Sequence, residues 1–478
     1  QCGSSLLGAG ARARSLRLGT PCQLAGRTAG CRVSRRVFSG AMSRRGDWEK
    51  ISAQYEVSEV IGSGYFGTVV LARDATNNRM VAVQRFSQLS NEHGESFSHI
   101  FDDLDLCMRV LRDVAILQKL QHQSVLQIYD IVANKDMETF DALFIVKELC
   151  DVHLRCLLRM DVQLEPQHIF SLLYNLLAGV KYVHSAGICH CDLKPSSCLV
   201  NKDCSVKIKD FGLSRSIETP SNWRPNAFRR TAKELPLTQD CVLKICDFGV
   251  LEDLQIPPCV DLPSSPRGGG VRRRRGAIPR CLCGAHVDVS YRAPELLISP
   301  PEGHRAVDVW AVGCIYAELL GMLEGARTED RSPLFGQLHG RKSVIDKIFN
   351  LLGTPSDEDV EGLECEDAKR YLRGITKRAG HGLQSKFPHV DSKFVALLDG
   401  MLKFNPKFRI GAEKALEDPI FSELRNPSIE TAAADVITFD FEKGRDLDEA
   451  ELRRCFSLEI RKCHPEAEEH KRAGRGGA

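Results

Sequence analysis

The order of a few short motifs constrains this chain more than its composition does. The run Ile61-Gly62-Ser63-Gly64-Tyr65-Phe66-Gly67-Thr68-Val69 comes first, followed by His190-Cys191-Asp192-Leu193-Lys194-Pro195 and Asp210-Phe211-Gly212. Ala293-Pro294-Glu295, Asp308-x-Trp310-x-x-Gly313 and Arg409 follow in that order. Glycines without a Cβ let a backbone approach phosphate oxygens and offer N–H donors to them. Alone, a G-x-G-x-x-G run is weak evidence and also suits a dinucleotide-binding turn. Here a strand pattern precedes it, Val69 trails it, and the apolar stretch Val81-Ala82-Val83 follows.

Residues 55–83 alternate apolar and polar positions around that glycine turn and predict three strands. Helical spacing appears in Leu106, Val110, Val114, Leu117 and Leu120, and again from Ile169 to Val180. Residues 306–321 predict an apolar helix and residues 447–462 a further one. Strands first and helices after give an α+β chain with two lobes. The 478 residues leave room for such an enzyme of roughly 300 residues plus extensions.

This succession of motifs resembles that of eukaryotic protein kinases. It is most similar to the mitogen-activated protein kinases, through Tyr291-Arg292-Ala293-Pro294-Glu295, the insert after Pro333, and the ending from Ile437 to Glu466. The resemblance runs from about Tyr55 to Phe421 and implies a bilobal kinase fold. Its small, β-rich N-lobe is expected at 55–150. The helical C-lobe is expected at 151–421, with an activation-segment insertion at about 213–285. Residues 1–54 are then a basic extension expected to be disordered, and 422–478 a C-terminal extension that wraps back onto the lobes.

The resemblance also implies an ATP- and Mg2+-dependent protein serine/threonine kinase in intracellular signalling. Asp192 would be the catalytic base, with Lys194 steadying the transferring phosphate. Nucleotide contacts would come from Ile61, Gly62, Ser63, Gly64, Tyr65, Gly67, Val69, Ala82, Gln84, Glu148, Cys150 and Leu199. Asp210 and Ser197 would hold the metal. The implied partners are protein substrates with Ser/Thr-Pro sites, and basic docking peptides bound by the acidic run Asp446, Asp448 and Glu449. The other reading of that run is a solvated helix start, where carboxylates suit the helix dipole. A monomer is expected, in the cytoplasm or alternatively the nucleus.

Several positions depart from the family pattern. The strand lysine is Gln84, its helix glutamate is Asp113, and the catalytic-loop arginine is Cys191. The second metal ligand, an asparagine in the family, is Ser197. Cys283-Gly284-Ala285 stands where a phosphorylated Thr-x-Tyr pair would be, and Asp288 where a threonine braces the catalytic aspartate. Lys147, at the gatekeeper position before Glu148-Leu149-Cys150, and Lys209, beside Asp210, could supply the missing cation; alternatively both turn outward to solvent. These substitutions keep open a second reading, a pseudokinase that binds partners and transfers nothing.

One strand-and-turn unit is written twice. Asp203-Cys204 through Asp210-Phe211-Gly212 recurs as Asp240-Cys241 through Asp247-Phe248-Gly249. The first copy lies at family distance from the catalytic loop and is the expected metal site. A Gly/Arg/Pro-rich stretch with four consecutive arginines follows, of a length that is functional or disordered. Retained non-coding sequence would explain it equally well. Residues 1–46 carry no Asp or Glu, and Met42 sits just before the kinase-like segment. Residues 1–41 are therefore expected to be translated upstream sequence, with an organellar transit peptide as the alternative.

A net charge of +2 gives no electrostatic case for nucleic acid. No apolar run reaches the ~18 residues of a membrane span, so neither nucleic acid nor membrane is expected as a partner. The nineteen cysteines are scattered rather than framed for disulfides, and Cys281 and Cys283 lack a second pair at zinc-ribbon spacing.

Overall fold

The computed structural model describes residues 45–64, 67–86, 89–90, 96–97, 99–217, 289–298, 304–326, 331–336, 341–363, 365–439, 441 and 447–464. Tyr65, Asp446, the second copy of the repeat, the arginine run, Cys281, Cys283, Ala285 and Asp288 lie outside them, as do residues 1–44.

Five antiparallel strands build the first lobe: β1 (Tyr55–Gly64), β2 (Gly67–Asp74), β3 (Arg79–Phe86), β4 (Ile128–Ala133) and β5 (Leu143–Glu148). Their spatial order is β1-β2-β3-β5-β4. The sequence pattern reveals the first three. The last two, IYDIVA and LFIVKE, are short apolar runs without alternation, because both faces of this part of the sheet are covered. Leu143 and Ile145 pack toward helix α1 (Leu104–Leu117), whereas Phe144 and Val146 pack on the opposite side.

That opposite side is closed by the 3-10 helix Arg45–Ile51, which sets Ile51 into the core and Trp48 against Phe144 at 5.6 Å. Residues 45–54 therefore do not belong to a disordered extension, as the sequence suggested. Two large apolar side chains at Trp48 and Ile51 gain more from covering the sheet than from solvent.

The second lobe is helical. Helix α2 (Pro166–Ser185) and helix α3 (Arg305–Leu320) cross its core. Helix α3 is apolar on nearly all sides, and its residues from Val307 to Leu320 are buried, as expected for a helix enclosed by others. A small sheet joins β6 (Val152–His153), β7 (Cys198–Val200) and β8 (Val206–Ile208) beneath the first lobe. Gly179 lets α2 approach β8 closely, since a Cβ there would stand 2.8 Å from Ile208 Cδ1.

Helix α4 (Glu449–Cys463) returns to the first lobe. Leu452, Phe456 and Ile460 enter the same core as α1 and β4. Arg453 lies over the Phe101 ring, 4.0 Å from its centroid, and donates to the Phe140 carbonyl. Asp448 caps the helix by accepting from the Glu451 amide, and Glu449 pairs with Arg453 at 2.7 Å. Both carboxylates are thus engaged in starting the helix. Among the described residues, no helix is long and apolar enough to cross a membrane.

Candidate active site

The sheet register decides which side chains meet beneath the glycine hairpin. Gly62 is paired with Val69, Val69 with Gln84, and Ala82 with Lys147. Directly paired residues share a face, and so do residues two apart on one strand. Gly62, Val69, Ala82, Gln84 and Lys147 therefore fall on one face, the face that also carries Ile145 toward α1. Gly64 and Gly67 close the hairpin, with Ser63 paired to Thr68. Gly67 has φ 101°, and a Cβ there would come within 2.0 Å of the Arg85 carbonyl oxygen. Ile61, at the rim, is exposed.

Lys147 turns inward and is only 8% exposed. Its Nζ donates to Gln84 Oε1 at 3.1 Å and lies 3.6 Å from Asp113 Oδ2 on α1. The other Asp113 oxygen accepts the Phe211 amide at 2.7 Å. Burial pushes the Asp113 carboxyl above the usual carboxylate range, and Lys147 pulls against that. Helix α1 is tied to the same turn a second time, by Arg112 donating to the Gly212 carbonyl.

Lys209 also turns inward, with Nζ 2.5 Å from Asp210 Oδ2. Burial raises the Asp210 carboxyl, but the ammonium of Lys209 outweighs it and holds the group below its ordinary value. Asp210 is therefore charged, in the left-handed backbone conformation (φ 68°), with its side chain 42% exposed. Phe211 is fully buried against His190, ring to ring at 4.7 Å.

The loop bearing Asp192 hangs on Asp308 at the start of α3. Asp308 accepts the amides of His190 and Cys191, each at 2.8 Å, and His184 Nε2 lies 2.8 Å away. Within the loop, Lys194 Nζ stands 2.9 Å from Asp192 Oδ2. Ser197 is wholly buried, and its hydroxyl is spent on the loop itself. It accepts the Lys194 amide at 2.9 Å and faces the Lys194 and Asp192 carbonyls at 2.8 and 3.2 Å. A small cleft beside Asp192 and Lys194 is also lined by Tyr291, Arg292 and Ala293.

Leu199, on β7, pairs with His153 and Lys207. At the end of β5, Glu148 is gripped by Lys207 at 2.7 Å, a contact the sequence does not announce, and just beyond it the half-buried Cys150 thiol is pushed up by burial to about 12. Of the candidate residues, the structure thus groups Gly62, Val69, Ala82 and Gln84 on one sheet face and Asp192, Lys194 and Ser197 on one loop. Asp210 and Lys209 come next to that loop through His190, whose Nε2 lies 2.9 Å from the Lys209 carbonyl oxygen.

A model of the protein kinase domain matches residues 55–233 and 235–421, so that each Asp-Phe-Gly copy lies in a matched stretch. The chain belongs to the protein kinase family. Within it, this is a divergent chain of the mitogen-activated type. It is 30% identical over 406 residues to mitogen-activated protein kinase 3 of Arabidopsis thaliana, covering 85% of this chain and 88% of that one. Mitogen-activated protein kinase 14 of Oryza sativa subsp. japonica is 30% identical over 416 residues, covering 86% and 62%. Mitogen-activated protein kinase 8 of Arabidopsis thaliana is 32% identical over 427 residues, covering 88% and 59%. The chain thus spans about three fifths of the length of the two longer relatives. Kinase domains use ATP and a divalent metal, and this chain's charged, accessible Asp210 carboxylate offers the hard oxygen such a metal takes.

Proposed function

We propose that this chain is an ATP- and Mg2+-dependent protein serine/threonine kinase acting on Ser/Thr-Pro sites of intracellular proteins. The observation that carries the reading is the Asp192–Lys194 pair, 2.9 Å apart on a loop pinned at two successive amides by Asp308. Asp192 would accept the proton of the attacking hydroxyl. The hydroxyl oxygen bonds to the γ-phosphorus as the bond to the β–γ bridging oxygen breaks and ADP leaves. Lys194, beside that carboxylate, would neutralise charge on the phosphoryl oxygens in flight.

Asp210 would hold magnesium, which would supply positive charge to offset that of the phosphate chain. The Ser197 hydroxyl is committed to closing the loop, so Asp210 is the ligand this reading relies on. The cleft bordered by Tyr291, Arg292 and Ala293 marks the side of Asp192 from which the substrate peptide would approach. A basic docking peptide would have to compete with Arg453 for Glu449. The chain would work as a monomer in the cytoplasm or nucleus.

A second reading, a binding module without transfer, is favoured by the engaged Ser197 hydroxyl and by the loss of the strand lysine at Gln84. Phosphate transfer from labelled ATP to a Ser/Thr-Pro peptide separates the two. Turnover by wild type that Asp192→Asn loses supports the kinase. Nucleotide binding without turnover supports the binding module. In parallel, Asp210→Asn should abolish Mg2+-dependent nucleotide binding while Asp247→Asn leaves it; the reverse would assign the metal site to the second Asp-Phe-Gly.

A further inference from the structure

Three metal-ligating side chains converge at the root of the loop that bears Asp192. His184 comes from the last turn of α2, Cys189 from the short strand Ile188–Cys189, and Asp308 from the first turn of α3. All three are buried, and their ligand atoms lie within 4.8 Å of one another. Asp308 Oδ2 stands 2.8 Å from His184 Nε2 and 3.4 Å from Cys189 Sγ. Around a tetrahedral zinc ion, ligand atoms at roughly 2.0–2.3 Å from the metal are about 3.4–3.6 Å apart. The sulfur–oxygen separation already fits. The nitrogen–oxygen separation is short because a proton lies between the two atoms, and it must open by about 0.6 Å when a larger cation takes that proton's place.

We infer that His184 Nε2, Cys189 Sγ and Asp308 Oδ2 form a binding site for one zinc ion, which ties α2, the Ile188–Cys189 strand and α3 together beneath the Asp192 loop. The inference depends neither on phosphate transfer nor on nucleotide binding. Zinc takes thiolate, imidazole and carboxylate together, whereas the all-oxygen Asp210 suits a harder ion. The Cys189 thiolate and the Asp308 carboxylate cancel the charge of the ion, so the buried site is neutral. The thiol proton leaves to solvent as the zinc–sulfur bond forms, and His184 takes the tautomer with its proton on Nδ1. Burial, the neighbouring Cys191 thiol and the Asp308 charge all push the Cys189 thiol up; a cation bound to the sulfur deprotonates it outright. Asp308 is held from behind by the Cys191 amide on Oδ1 and the His190 amide on Oδ2, the kind of outer partner that orients a metal ligand. Asp308 and Cys191 both line the cleft beside Asp192. That cleft gives the ion a way in and a water for its fourth position.

The test uses the full chain, reduced, stripped with EDTA and dialysed. A Cys281→Ser/Cys283→Ser background removes the other closely spaced cysteine pair. Zinc, magnesium and cobalt(II) chlorides are added separately. Metal retained after gel filtration, thermal melting and the cobalt spectrum are read for this parent and for Cys189→Ser and His184→Gln made in it. The parent should retain one zinc per chain and melt higher with zinc than with magnesium. Its cobalt form should show a sulfur-to-cobalt charge-transfer band with the intensity of a single thiolate. Each variant should weaken zinc binding by more than the roughly 10–100-fold that loss of an outer partner costs, and Cys189→Ser should lose the band. Undiminished zinc retention by either folded variant overturns the inference, as does a parent that takes up no zinc. Where a variant fails to fold, the parent's cobalt band decides: its absence, or the intensity of two or more thiolates, overturns the site.

Discussion

Glu295 and Arg409 form a two-pronged ion pair at 2.8 and 3.0 Å, with Arg409 fully enclosed and Glu295 only 9% exposed at the side chain. Arg409 also donates to the carbonyls of Ala306 and Lys403 and lies over Trp310. The pair thus fastens the end of the Ala293-Pro294-Glu295 segment to the start of α3. Removing one partner leaves a buried charge uncompensated, so Arg409→Ala should cost about 3–5 kcal/mol in urea unfolding. The paired replacement Arg409→Met/Glu295→Leu should cost clearly less; an equal or larger loss would show that the geometry of the pair, not the orphaned charge, sets the penalty.

Asp308 gives a pH dependence with a definite sign. Burial raises its carboxyl, but the hydrogen bond and charge of His184, with the charge and the backbone amide of His190, outweigh this and hold it below the usual range. A carboxyl depressed in the folded state adds stability above its unfolded value, about 3.9. That stability is lost as pH falls from there through the folded value. Asp308→Asn should therefore be less stable near neutrality by about 1–3 kcal/mol, and its stability should fall less steeply than wild type's below about pH 4. Denaturant midpoints across that range measure both.

Phe456 anchors α4 in the first lobe and is fully enclosed. Phe456→Ala should cost about 3–5 kcal/mol. Amide exchange near Gln118 should also quicken, since that side chain donates to the Glu459 carbonyl on α4. Leu458, on the same helix but 57% exposed, is the control. Its change to Ala should stay within about 0.5 kcal/mol.

Gly67→Ala tests the hairpin. Both the positive φ and the Arg85 carbonyl oxygen oppose a side chain. The strain should cost about 1–3 kcal/mol, and nucleotide affinity should fall with it. Unchanged affinity would place the nucleotide away from this hairpin.

Lys209 and a divalent metal would compete for Asp210. Removing the ammonium in Lys209→Met should lower the Mg2+ concentration for half-maximal nucleotide stabilisation several-fold, read by thermal shift. A higher requirement would mean that Lys209 assists the site instead of competing with the metal.

The first three strands, the principal helices and the motif order were legible because each rests on local sequence: alternation over 55–83, apolar periodicity in 104–117 and 166–185, and a long apolar run in 305–320. Strands β4 and β5 were not, because a strand covered on both faces shows an apolar run and no period. Asp192, Lys194 and Asp210 could be picked from their motifs. The direction of Lys147 could not, since it depends on the pairing of β3 with β5, which joins residues some sixty positions apart. The engagement of Ser197 within its own loop was equally invisible, being a matter of rotamer and closure rather than of residue type. The N-terminal boundary failed for a similar reason: Trp48 and Ile51 are isolated apolar residues until a sheet face is there to receive them.

The placement of α4 has a consequence for how the chain is made. The first lobe is encoded first, yet Leu452, Phe456 and Ile460 belong to its core. A ribosome that has released the whole sheet and α1 has still not supplied the side chains that seal them. During synthesis that apolar face stays open while the entire second lobe is translated. The lobe that begins the chain is the last to be finished, and a truncation that spares every catalytic motif but removes α4 would leave it unsealed.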